Sequence, residues 1–112
     1  MRLAEPPTAI FALADERAAG VIKYLVENGY TPGVDVDVVG FDDVQIASIC
    51  TPSITTVQQP RYDLGRESAK QLLSRLENRN QPNKGVILAH KLIIRDSTHK
   101  EKLGADARAH KA

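Results

Sequence analysis

One cysteine, Cys50, occurs in 112 residues. No disulfide can close within the chain, which fits a reducing compartment. His90, His99 and His110 stand at no ligand-like spacing from Cys50 or from one another. Neither a metal cluster nor a cysteine nucleophile is therefore expected. No apolar run approaches the roughly 20 residues of a membrane span, and no signal-peptide pattern opens the chain. Charge of one sign is lacking too: 15 Lys and Arg stand against 14 Asp and Glu. Up to Thr98 the balance is 11 basic to 12 acidic, so the small surplus lies beyond it, and no basic stripe suited to nucleic acid is present. A glycine-rich phosphate loop, a Gly-x-Ser-x-Gly elbow, internal repeats and low-complexity tracts are missing as well. These absences argue against an enzyme, and no cofactor is expected.

What is present reads as α/β. The stretch Val36-Asp37-Val38-Val39-Gly40-Phe41-Asp42-Asp43 is a short, valine-rich apolar run that ends on a glycine, an aromatic ring and two carboxylates. Such a run predicts a strand buried on both faces of a parallel sheet. Ligands in open parallel sheets are held at the carboxyl ends of the strands, which puts Asp42 and Asp43 at the mouth of a site. A second run, residues 8–14, is closed by Asp15 in the same way. Behind it Ala18, Val21, Ile22 and Leu25 fall at i, i+3, i+4 and i+7. This stripe predicts a helix over about 15–28, with Asp15 as N-cap and Asn28-Gly29 as the stop. Strand, helix and strand make a βαβ unit with a right-handed crossover, so Asp15 and Asp42 are expected at one edge on adjacent strands.

Further along, residues 44–50 suit two short helical turns ahead of Thr51-Pro52, and residues 54–58 have strand composition. Gly65, Ala69, Leu72, Leu73 and Leu76 give a helical stripe over about 62–78. Residues 81–85 read as a loop, and 86–89 and 92–94 as strands. Residues 99–112 have little to bury and are expected to be disordered or loosely helical. So few strands leave open edges, in a chain too short for a two-lobed binding protein.

Several fragments then fall into one ordered set: Pro7 to Ala12 with Asp15, Ala18 and Gly20; Val38 to Asp43; Thr51-Pro52 with Thr55-Thr56-Val57 and Gln59-Pro60; Gly65; and Arg95-Asp96-Ser97-Thr98. Together they resemble the carboxyl-terminal part of LacI/GalR-type bacterial transcriptional regulators, over nearly all of residues 7–98. The resemblance implies a partial periplasmic-binding-protein-like (type I) fold over residues 1–98, a parallel sheet flanked by helices. The first lobe and a helix-turn-helix would precede Met1. Residues to about Val57 would belong to the carboxyl-terminal lobe, and Gln58 to Pro60 to a crossover. The helix near 62–78 and the run 86–88 would return to the other lobe, and Leu92 to Arg95 would come back.

Such regulators bind a sugar or other small metabolite between the lobes, and this changes the DNA affinity of the dimer. By resemblance Asp15 and Asp42 contact the ligand and Phe41 lies beside the pocket. Ala14 departs from the Asn of many sugar-responsive members. Ala19, Ile46, Ile49 and Cys50 fall on the implied dimer surface. The implied partners are a small-molecule effector and a second copy of the chain, with DNA reached only through a region ahead of Met1. The implied location is cytoplasmic, away from membranes. Plain readings stand beside these: Asp42 as the cap of the following turn, Asp15 as N-cap alone, Phe41 and the Ile46, Ile49, Cys50 group as core. Asp43 is expected to be structural. A fragment of a periplasmic sugar-transport protein, and a remnant module that pairs with intact relatives, are the competing functions.

Overall fold

The computed structural model describes residues 3–99. Two compact units form: one from the chain up to Gln58 joined by the chain from Leu92 onward, the other from Gln59 to Lys91. The elements are β1 (Ala9–Phe11), α1 (Asp15–Glu27), β2 (Asp37–Phe41), α2 (Gln45–Ile49), β3 (Thr55–Gln58), α3 (Arg61–Glu77) and β4 (Lys91–Ile93). The sheet order is β1-β2-β3-β4. β1 runs parallel to β2 with Phe11 opposite Val39, and β2 runs parallel to β3 with Phe41 opposite Val57. The expected βαβ unit is therefore present, and Asp15 and Asp42 follow neighbouring parallel strands.

Helix α1 forms on its apolar stripe. Ala18, Ile22 and Leu25 are buried against Val36, Val38, Ala47 and Ile54, and Val21 is half-buried beside them. Its end is set by Asn28, whose N–H bonds the Tyr24 and Leu25 carbonyls, and by Gly29 at φ +81°, a left-handed position that glycine takes at no steric cost. The N-cap is Ala14, which makes no side-chain cap bond, and not Asp15. Asp15 instead occupies the first helical turn, where a negative charge meets the positive end of the helix dipole.

Burial of β2 on both faces is not what is found. Val38 and Gly40 are buried on the α1 side, while Asp37, Val39 and Phe41 are half-buried on the other. The reason is that α1 packs on the Val38 and Gly40 side, whereas on the other side Phe11 and Phe41 remain open to solvent. The run 8–14 also contributes just three ladder residues, although the Ala12 N–H still reaches the Val39 carbonyl at 2.8 Å.

That returning segment is a polar wedge between β2 and β3. The Val38 N–H donates to the Ser97 carbonyl at 2.9 Å, and the Ser97 hydroxyl donates to the Val38 carbonyl at 2.5 Å. The same hydroxyl accepts the Thr55 N–H at 2.9 Å, and the Ser97 N–H donates to the Ser53 carbonyl at 2.9 Å. Thr98 and Thr55 share a hydroxyl contact of 2.7 Å, and the His99 ring nitrogen lies 2.6 Å from the Asp37 carboxylate. Gly33, at φ +80°, gives the wedge its room: a Cβ there would collide with the Asp96 carbonyl oxygen. Of the expected tail, residues 100–112 lie outside the described residues.

In the second unit α3 forms as its periodicity predicts, with Asp63 in its first turn and Arg75 in its last, each suited to the dipole. None of its residues is buried, and Leu72, Leu73 and Leu76 are all exposed. The strand expected over 86–89 does not form, and Ile87 is 99% exposed. A strand exists only beside another that completes its hydrogen bonds, and within this unit residues 86–89 have none. No helix among the described residues is long and apolar enough to cross a membrane.

The wedge has a measurable worth. Ser97→Ala leaves the buried Thr55 N–H and Val38 carbonyl without the hydroxyl, an expected loss of about 1–3 kcal/mol in urea unfolding. Replacing the exposed Ser48 by Ala is expected to stay within about 0.5 kcal/mol of the parent. Equal midpoints for the two variants would refute the wedge.

Candidate ligand-binding site

The carboxyl ends of β1 and β2 carry two aromatic rings on the same face of the sheet. Phe11 and Phe41 meet edge to face, with centroids 6.2 Å apart and planes at 88°. Phe11 is 57% exposed and Phe41 half-buried, so the pair forms an apolar surface open to solvent. Asp42 comes next in the chain. It is half-buried at φ +99°, and its N–H donates to the Val57 carbonyl at 2.9 Å.

Asp43 follows at φ +55°, a second non-glycine residue in the left-handed region. Its carboxylate is held from two sides, by the Arg95 guanidinium at 2.7 Å and by the Gln58 amide at 2.7 Å. Arg95 also donates to the Ile54 carbonyl at 3.1 Å, which fixes the guanidinium against β3. The structural role expected of Asp43 agrees with this ion pair, in which both side chains are largely buried.

Asp15 sits elsewhere than expected. Its residue is 0% exposed, and its two carboxylate oxygens accept the Thr56 hydroxyl at 2.6 Å and the Val44 N–H at 2.7 Å. Gly40 makes this possible, because a Cβ at that position would overlap the Asp15 carboxylate. The expectation of Asp15 as an acceptor at the strand-end surface gives way to an internal anchor. Of the three residues read as ligand contacts, Phe41 and Asp42 are thus brought together at the surface and Asp15 lies beneath them.

Of the residues read as a dimer surface, Ala19 lies on α1, Ile46 and Ile49 on α2 and Cys50 directly after it, and the two helices pack against each other. Ile49 is 69% exposed, and Ile46 is half-buried. Ala19 and Cys50 are half-buried and pack partly against the core.

Three residues of the site are not marked as such by the sequence pattern. Phe11 lay inside an apolar run, and only the strand register reveals it as the partner of Phe41. Thr56 read as a strand former, although a hydroxyl opposite Gly40 in the parallel ladder is a usable signal of a buried polar contact. Arg95 was part of a motif with no partner assigned.

Residues 1–98 match the model of the periplasmic binding protein-like domain. The chain belongs to that family. Among curated relatives, the transcriptional repressor CytR of Escherichia coli K12 is 34% identical over 96 residues, covering 86% of this chain and 28% of the repressor. A LacI transcriptional regulator from Bacillus cereus subsp. cytotoxis superposes with a TM-score of 0.82 at 36% identity, over 87% of this chain and 34% of that one. A LacI family regulator from Enterococcus faecium, solved with bound ribose, gives 0.74 at 33% identity, over 85% and 35%. This periplasmic binding protein-like domain therefore spans about a third or less of the regulators it matches.

The Asp43–Arg95 pair is open to direct measurement. Arg95→Met keeps the packing of the side-chain stem but removes the guanidinium that bonds the Asp43 carboxylate, and is expected to lower stability by about 1.5–3 kcal/mol. Combining it with Asp43→Asn should cost less than the sum of the single changes, since each single change already removes the bond the two side chains share. Additive losses in the double-mutant cycle would show that the two groups do not interact.

Proposed function

We propose that this chain is the effector-sensing and dimerising portion of a LacI-type transcriptional regulator, working in the cytoplasm. Phe11, Phe41 and Asp42 form one wall of a site for a sugar or a similarly polyhydroxylated small molecule. The observation that carries this reading is an open aromatic pair joined to a carboxylate at the carboxyl ends of parallel strands. Ligand sites typically combine an apolar lining with a few placed polar groups, and a carboxylate accepts hydroxyl hydrogen bonds about twice as strong as neutral ones. The aromatic surface suits the C–H face of a sugar ring while Asp42 takes its hydroxyls. The relative solved with ribose supports the same ligand class.

Dimerisation is assigned to the α1–α2 surface with Ala19, Ile46, Ile49 and Cys50, of which Ile49 is the most exposed apolar group. DNA contact belongs to parts of the regulator other than these residues. The regulator relatives favour this reading over a sugar-transport protein.

Titration of ribose and other neutral sugars into the chain, followed by amide chemical shifts, tests the site. Contact on one wall only is expected to give a dissociation constant on the order of 1 mM, with shifts centred on Phe11, Phe41 and Asp42. Asp42→Ala should abolish them and leave the oligomeric state in sedimentation unchanged, while Ile49→Lys should do the reverse. Loss of both properties in each variant would reduce these residues to structural roles.

A further inference from the structure

Asp42 and Asp43 are consecutive non-glycine residues with positive φ, at +99° and +55°. Such a conformation costs on the order of 1–2 kcal/mol per residue and persists only where the surroundings over-determine it. Here three successive N–H groups are each tied down, two to β3 and one to the start of α1. The Asp42 N–H goes to the Val57 carbonyl at 2.9 Å, the Asp43 N–H to the Thr56 hydroxyl at 3.3 Å, and the Val44 N–H to the Asp15 carboxylate at 2.7 Å.

The Thr56 hydroxyl is the junction of this arrangement. It has one hydrogen, and the Asp15 oxygen 2.6 Å away can only accept it. The lone pairs of the hydroxyl are thereby left to receive the Asp43 N–H. Asp15 thus acts on the turn twice, directly at Val44 and through Thr56 at Asp43. Thr56 and Asp15 are 0% exposed, so water does not compete for either bond.

We propose that Asp15 and Thr56 are positioning residues that hold the 42–44 turn in its left-handed form and so aim Asp42 at the ligand. This rests on the ligand role of Asp42 given above, whereas the hold on the turn stands on the bonds alone. Neither residue touches the ligand. Both act through the backbone that carries Asp42.

Amide hydrogen exchange on the whole chain separates the two parts. Thr56→Val removes the hydroxyl at constant shape, and Asp15→Asn leaves one acceptor oxygen where two donors converge, so that either the Val44 N–H or the Thr56 hydroxyl proton loses its acceptor. The informative amide in each variant is the one whose own partner is untouched: Val44 in Thr56→Val, and Asp43 in Asp15→Asn. Both are expected to exchange at least tenfold faster, while Val38, bonded to Ser97, keeps its rate as the measure of the intact fold. Thr56→Ser, which retains the hydroxyl, should restore the parent pattern. Ribose affinity is expected to fall roughly tenfold in Thr56→Val, and to recover in Thr56→Ser.

Unchanged exchange at Val44 and Asp43, or equal acceleration at Val38, would overturn the positioning role. So would a loosened turn that binds ribose as tightly as the parent. A parent chain with no ribose response would overturn the ligand reading of Asp42, and the exchange pattern would then still decide whether the pair holds the turn.

Discussion

A carboxylate without exposed surface is tolerable only when its oxygens are hydrogen-bonded, and the arrangement of the first unit follows from how Asp15 meets that demand. Its donors come from residues 29 and 41 positions away in the chain. To receive them, the start of α1 must press against β2 where no side chain intervenes, which is the place of Gly40. It must also lie level with Thr56 on β3 and with the residue that opens α2. Both donors are neutral, so the ion has no counter-charge among its hydrogen-bond partners. The positive end of α1, in whose first turn Asp15 lies, supplies the favourable potential instead. One buried ion thereby fixes the mutual level of four elements.

The same economy of polar groups governs the opposite end of the strands. Ser97 fills the gap where β2 and β3 have not yet met, and its hydroxyl and backbone groups serve both. The apolar core between these polar ties is small, built on Ile22, Leu25, Val36, Val38 and Ile54 with three alanines. A core of this size specifies packing weakly, so directional bonds carry much of the definition of the unit. The aromatic pair at the strand ends lies outside that core, which leaves it open for contact.

Much of this was legible in the residues themselves. Apolar periodicity located α1 and α3, and short apolar runs ended by acids located β1 and β2, because those patterns match the 3.6-residue and extended repeats, although only in α1 does the stripe mark a buried face. Two kinds of feature were not legible. The direction taken by Asp15 depends on Gly40 and Thr56, which meet it only after strand register is set. The run Val86 to Ala89 has strand composition, but composition reports a preference and the ladder requires a neighbour that the second unit does not provide. The alternation of β2, buried on one side only, was hidden for a related reason: valine suits both a fully and a half-covered strand.

The wedge has a bearing on how the protein is made. Its bonds join Thr55 to a residue 42 positions later and Val38 to one 59 positions later. A nascent chain leaves the ribosome with β1 to β3 already out, while the piece that seals them is still being synthesised behind the whole 59–91 excursion. Completion of the sheet is thus deferred until residues 95–99 have emerged, and the half-sealed intermediate is the species most exposed to proteases and to association with its own kind.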